Sequence, residues 1–296
     1  MHSLSDALAA GPVVLDGGLG TLLENRGQDL SSQLWSARLL VESPDVIRAA
    51  HREFFESGAE VGISASYQVS YEGLAAVGID RAETERLLRL SVSLVAAARD
   101  DAGGSGWVAA SVGPYGAMLA DGSEYRGDYG LSVAELRAWH APRLKVLADS
   151  GADVLAIETI PCLAEVEAVL AEVDGSGVPA WLAVTAAMGA LRSGESLADA
   201  YALADSVDEI IAVGINCSDP LDVASAIDAA RSVTSKPIVV YPNSGEQWDA
   251  KNRSWMGQAG FPSSLVREWR DAGASLIGGC CRVGPAEIAG IAAALA

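Results

Sequence analysis

SGADVLAIET, residues 150–159, reads as the last turn of a helix, a glycine that ends it, and a short buried strand that runs into a carboxylate, Glu158. The phrase recurs as SGAEVGISAS at 57–66 and AGASLIGGCC at 272–281. Counting seven residues on from Gly58, Gly151 and Gly273 gives Ala65, Glu158 and Cys280, which are therefore expected at equivalent places at the carboxyl ends of their strands.

Outward from these three copies, short apolar runs alternate with longer amphipathic ones, the pattern of a parallel sheet with crossover helices. Strands are predicted at Val13–Asp16, Val61–Ala65, Trp107–Ser111, Val154–Glu158, Ala180–Thr185, Ile210–Ile215, Pro237–Tyr241 and Leu276–Gly278. Ser43 before Pro44 and the SVAE stretch at Ser132–Glu135 mark helix starts. Eight β/α units in 296 residues predict an α/β protein built as a single (β/α)8 TIM barrel, one domain over 1–296, since no Gly/Ser/Pro-rich linker divides the chain. Barrel active sites lie at the carboxyl ends of the strands, so Glu158 and Cys280 are expected to share one mouth.

Composition narrows the function classes. The formal net charge of −19 and the lack of clustered Lys and Arg argue against a nucleic-acid partner. No apolar run is long enough to span a membrane, and the N-terminus has neither the basic nor the apolar segment of a signal peptide. Four cysteines without a regular framework fit a reducing compartment, so a cytoplasmic location is expected.

Residues at the predicted strand ends carry the chemistry. They include Asp16, the stretch 66–68, Ser111, Glu158, Thr185, Asn216 with Cys217, the stretch 241–243, and Cys280 with Cys281. Three of the four cysteines fall on this rim. Three thiolates form a plausible zinc site with a fourth position open, and equally three cysteines can be small buried residues. Gly278 and Gly279 are expected to provide the turn that lets adjacent cysteines reach one ion. Cys162 is read as a bystander. His2, His51 and His140 stand in places that suit neither a His-rich metal site nor a Ser-His-Asp triad. The DGGLG turn at 16–20 lacks the spacing of a phosphate-binding loop.

In order along the chain, LDGGLGT (15–21), SYQ (66–68), SVGPYGAMLADGSEYRGDYG (111–130), ETIP (158–161), GINC (214–217), VYPNSGE (240–246) and GGCCR (278–282) resemble the homocysteine S-methyltransferases, and within them the short enzymes that use S-methylmethionine or S-adenosylmethionine. The resemblance implies methyl transfer from a sulfonium to the thiol of homocysteine, giving methionine. It implies Zn2+ on Cys217, Cys280 and Cys281, and an ammonium site made by Asp16 and Glu158. Methylation of another acceptor such as selenocysteine is the alternative, with a non-enzymatic zinc-binding protein behind it.

Trp35, Tyr67, Tyr115 and Tyr125 are candidate cation–π partners for the sulfonium, and Asn216 and Asn243 are candidate ligand-orienting amides. The loop Gly113–Gly130 is long enough to act as a lid, with Asp121, Glu124 and Asp128 as partners for the donor's ammonium. The stretch VTAAMGALRSGESL (184–197) follows the family pattern loosely and receives no role. A monomer is expected, since the final helix ends the chain without the extension through which the betaine-dependent relatives associate.

Overall fold

The structure is a computed structural model. It describes residues 2–30, 35–249, 254–256 and 263–296, with the side chains of 35–37, 247–249, 254–256 and 263 outside the description. Eight parallel strands form one sheet: Val13–Val14 (β1), Val61–Ile63 (β2), Trp107–Val112 (β3), Val154–Ile160 (β4), Ala180–Val184 (β5), Ile210–Asn216 (β6), Ile238–Tyr241 (β7) and Ala274–Ile277 (β8). The neighbours run β1-β8-β7-β6-β5-β4-β3-β2. A parallel bridge between Leu15 and Val61 joins the two ends, and the Asp16 N–H donates to the Val61 carbonyl at 3.0 Å. The sheet is thus a closed (β/α)8 barrel, and closure leaves no unpaired edge.

Alternation along the strands sorts residues between the two sides of the wall. Leu15, Val61, Ala109, Val154, Ala156, Trp181, Ala183, Ala212, Val239 and Leu276 pack together inside the barrel. Their neighbours Val108, Ala110, Leu155, Ile157, Leu182, Val213, Ile215 and Val240 pack outward against the helices. The helix Leu4–Ala10 covers the amino-terminal end: Leu4 and Leu8 join the inner cluster, and Trp107 Nε1 donates to the His2 carbonyl at 3.1 Å. The same parity, carried upward, aims Ser111, Glu158, Thr185, Asn216 and Tyr241 into the opposite mouth, and all five are buried.

Local signals mostly acted as expected. Ser132 and Glu135 form a reciprocal capping box at the start of Val133–Ala148. Ser43 occupies the N-cap of Pro44–Glu56, but its side chain makes no cap bond, and Pro44 sets the first turn instead.

Strand ends differ from the expected ones. β2 stops at Ile63 and β8 at Ile277, while β4 continues to Ile160. Cys280 therefore lies beyond its strand, although the chain still follows β7, with the Gly278 N–H donating to Val240 O at 3.0 Å and the Cys280 N–H to Pro242 O at 2.8 Å. Neither Gly278 nor Gly279 adopts a positive φ. They are glycine because of crowding: an added Cβ would stand 2.5 Å from Leu15 Cβ at Gly278 and 2.1 Å from Val283 Cγ1 at Gly279. No described helix is long and apolar enough to cross a membrane.

Candidate active site

The mouth holds a cavity of about 280 Å3 whose walls include Asp16, Tyr67, Tyr125, Glu158, Asn216, Cys217, Cys280 and Cys281. The three cysteine sulfurs lie within 4.8 Å of one another. Those of Cys217 and Cys280 are close enough to be joined as a disulfide, and Cys281 is free. Among the described residues, no fourth His, Cys, Asp or Glu completes the group. A tetrahedral ion with metal–sulfur bonds of about 2.3 Å holds its sulfurs about 3.8 Å apart, so the three sulfurs are near enough to share one ion once Cys217 and Cys280 separate from disulfide distance. Burial pushes the Cys281 thiol up to about 11, so a thiolate at this depth needs a cation beside it. Cys162 stands apart, buried at the N-cap of Leu163–Val173 and raised to about 12 by burial and then by Glu165.

The loops that carry the cysteines are fixed by side chains from other strands. Cys217 has a positive φ of 46°; its N–H donates to Tyr241 O at 3.3 Å, and its carbonyl accepts from Thr185 Oγ1 at 3.3 Å. Asn243 accepts the Cys281 N–H on Oδ1 at 3.1 Å, so that oxygen positions a cysteine. Arg282, with φ 66°, donates its N–H to Thr21 Oγ1 at 2.9 Å and grips Glu246 with two guanidinium nitrogens at 2.8 and 3.0 Å. Gly17 and Gly18 allow the DGG turn to lie against this loop, since a Cβ would come within 2.3 Å of Val283 O or 2.4 Å of Cys280 O.

Two buried carboxylates complete the site. Glu158 accepts from Ser111 Oγ on Oε1 and from Tyr241 OH on Oε2 at 3.1 Å, and Trp181 Nε1 donates to that phenol at 3.0 Å. Desolvation raises its pKa to about 7 despite both hydrogen bonds. Asp16 accepts the Ile63 N–H on Oδ2 at 2.8 Å, while its buried Oδ1 has no partner. Burial holds Asp16 well above the usual carboxylate range; the Ile63 bond opposes the rise and the charge of Glu158 adds to it. Between these carboxylates only Asp16 Oδ1 is left as an open acceptor for a donor group on a ligand.

The remaining expected residues divide. Tyr67 and Tyr125 line the cavity. Tyr115 does not: its ring packs edge-on against Tyr129 and Trp139, with centroids 5.3 and 5.2 Å away, and its N–H donates to Glu165 Oε1 at 2.6 Å. The loop folds that ring back because the helix Tyr115–Leu119 follows Pro114 directly. Trp35 opens the helix Trp35–Glu42, and its side chain lies outside the described residues. Asn216 lines the cavity, yet both ends of its amide serve Thr159, Oδ1 accepting the N–H at 2.7 Å and Nδ2 donating to Oγ1 at 2.8 Å. Of the loop acids, Asp121 and Asp128 pair with Arg126 on the surface, and Glu124 alone lines the cavity, with a buried Oε2 that has no partner. Sequence reasoning assigned no role to Ser111, Thr21, Glu246 or Arg192. Ser111 carried a signal, its inward parity with Glu158; Thr21 reaches the mouth from the short helix Leu19–Asn25, and Glu246 and Arg192 from loops whose path no periodicity reveals.

A closed barrel that gathers two buried carboxylates and three cysteines close enough to hold a metal ion at its carboxyl mouth has the make-up of a barrel enzyme. The chain belongs to the homocysteine S-methyltransferase family, whose model matches residues 13–295. It is 45% identical over 298 residues to homocysteine S-methyltransferase YbgG of Bacillus subtilis, covering 95% of this chain and 93% of that one. It is 42% identical over 316 residues to the selenocysteine Se-methyltransferase of Brassica oleracea var. italica, covering 98% and 91%. The metallated form of the Escherichia coli homocysteine methyltransferase MmuM superposes with a TM-score of 0.86 at 41% identity, over 96% of each chain.

Proposed function

We propose that this chain, as one barrel domain over 1–296, transfers a methyl group from a sulfonium, S-methylmethionine ahead of S-adenosylmethionine, to the sulfur of homocysteine, with Zn2+ on Cys217, Cys280 and Cys281. The observation that carries this reading is the meeting of three sulfurs within 4.8 Å with the partnerless Asp16 Oδ1 in one cavity. Bound there, Zn2+ would take the homocysteine sulfur as its fourth ligand and hold it as a thiolate near neutral pH, where a free thiol of pKa about 8.5 is mostly protonated.

The chain's own residues do the rest. Asp16 and Glu158 hold the ammonium, and Ser111 and Tyr241 fix Glu158 so that the amino acid enters in one orientation. Tyr67 and Tyr125 offer ring faces to the sulfonium, and Glu124 adds charge on the lid side. As the methyl carbon bonds to the homocysteine sulfur, its bond to the donor breaks and the electron pair stays on the donor sulfur, which leaves as a neutral thioether. Positioning the two sulfurs in line is therefore the main task of the pocket.

Selenocysteine is the second acceptor to consider, because a relative at 42% identity carries that activity in its name. The protein acts on small molecules as a monomer in the cytoplasm, without a nucleic-acid partner. Initial rates with S-methylmethionine, S-adenosylmethionine and glycine betaine, each crossed with homocysteine and selenocysteine, test the reading. Betaine turnover equal to that with S-methylmethionine would overturn the donor class, and a selenocysteine preference would overturn the acceptor.

A further inference from the structure

A second cavity, about 810 Å3, adjoins the first; Tyr125 and Cys281 line both. Its wall also carries Met188, Arg192, Asp219 and Asp222. The first cavity is at the small end of ligand pockets and suits one short amino acid; the second falls within the usual range of roughly 300–1,000 Å3.

Arg192 is the unusual group in it. It follows the hairpin made by Ala186–Ala187 and Ala190–Leu191, which turns the chain back over the mouth. Its Nε donates to Thr185 Oγ1 at 3.3 Å, and its guanidinium carbon stands 5.4 Å from the centre of the Tyr125 ring. No described carboxylate forms an ion pair with it, whereas the neighbouring cations Arg126 and Arg282 are both held by acids. Thr185 also bonds the Cys217 carbonyl, so this guanidinium is held at a set place relative to the cysteine cluster. Asp219 and Asp222 are fixed by accepting the N–H groups of Leu221 at 2.9 Å and Met188 at 3.0 Å. A positioned cation without an acid partner, facing two fixed carboxylates, complements a zwitterion.

We propose that Arg192 binds the carboxylate of the methyl donor, so that the second cavity seats the donor's amino-acid end and Arg192 selects sulfoniums that carry one. The inference rests on the function proposed above and assigns the two cavities to the two substrates. Homocysteine lies on Asp16 and Glu158, the donor lies on Arg192, and the methyl group crosses where Tyr125 and Cys281 border both.

The test compares wild type with Arg192→Gln and Arg192→Lys, using S-methylmethionine and its methyl ester, which lacks the carboxylate charge. Arg192→Gln should raise the KM for S-methylmethionine about tenfold to a hundredfold, the range of a charge-assisted hydrogen bond, and leave the KM for homocysteine within about twofold. It should also remove the wild type's preference for the acid over the ester, and Arg192→Lys should restore part of it. Binding of S-methylmethionine measured by calorimetry, without turnover, should weaken by the same factor. An unchanged S-methylmethionine affinity and an unchanged acid-to-ester ratio in Arg192→Gln would overturn the assignment. Failure of the wild type to methylate homocysteine from any sulfonium would instead count against the function, and the calorimetric arm would still decide the role of Arg192.

Discussion

In the proposed function the ammonium of homocysteine is met by Glu158, a carboxylate that burial leaves about half ionised at neutral pH in the free protein. Glu158 is 8% exposed, and burial lifts it from 4.5 to about 7. Only the ionised form attracts an ammonium. At pH 6 about one Glu158 in ten carries charge, so affinity for an α-amino acid should fall roughly tenfold from pH 8 to pH 6, about 1.4 kcal/mol. Methionine is the right titrant, because it keeps the ammonium and has no thiol proton of its own. Calorimetry in phosphate and in Tris should show proton release on binding at pH 6–7, with the share that Glu158 contributes falling away by pH 8.

The same shift acts on folding in the opposite sense. Folded Glu158 keeps a proton that the unfolded chain gives up near 4.5, so its contribution to stability is present at acid pH. That contribution is lost as pH rises through about 4.5 to 7, up to about 3 kcal/mol. Glu158→Gln keeps the shape without the charge. It should bind methionine more weakly, lose this part of the pH dependence in both binding and stability, and leave the cysteine cluster intact. A methionine affinity independent of pH between 6 and 8 in the wild type, or the same slope in Glu158→Gln, would refute the reasoning.

Cys280→Ser should lose bound zinc, measured by atomic emission, together with methyl transfer; full occupancy with normal turnover would remove the ligand assignment. Cys162→Ser should change neither, since that thiol is buried away from the cluster. Asn216→Ala removes two buried hydrogen bonds to Thr159 and should cost about 2–4 kcal/mol in urea unfolding, and an unaltered midpoint would show that the amide has no structural role. Light scattering at micromolar concentration should give one chain per particle, and a dimer would refute the monomer.

Much of the site was legible because strand parity and the motifs point the same way. Glu158 lies two and four residues beyond the inward-facing Ala156 and Val154, so alternation aims it into the barrel without any knowledge of the fold. The glycines were legible as special but for the wrong reason. A turn and a close approach leave the same letter in a sequence, and only the 2.1 Å to Val283 at Gly279 distinguishes them. Asn216 and Asn243 line the two cavities as rim asparagines should, but the bonds that their amides make within the protein were not legible. Their backbone partners, Thr159 and Cys281, are 57 and 38 residues away in sequence, where no local pattern reaches. Arg192 was passed over because its segment is neither helix nor barrel strand, and the two-residue strands of its hairpin carry too few residues to show a period.

Those long-range bonds also account for the backbone of the mouth. Thr159, Cys217 and Arg282 all adopt positive φ, at 63°, 46° and 66°, a region that costs a residue with a Cβ of order 1–3 kcal/mol. Glycine at any of the three would relieve the strain, but it would remove a hydroxyl, a sulfur or a guanidinium that the mouth uses. The sequence keeps the side chains and holds the backbone from outside. Asn216 grips Thr159 by both its N–H and its hydroxyl; Tyr241 and Thr185 hold the two sides of the Cys217 peptide; Thr21 and Glu246 hold Arg282. The residue pairing between β4 and β5 shifts between Ile157 and Ile160, the bulge that the left-handed Thr159 makes. Each anchor comes from a different strand, helix or loop from the residue it holds, so the cysteines and Glu158 are set in place by the closed barrel. A site built this way spends little further order when substrate arrives, which suits a reaction whose main demand is that two sulfurs be placed in line.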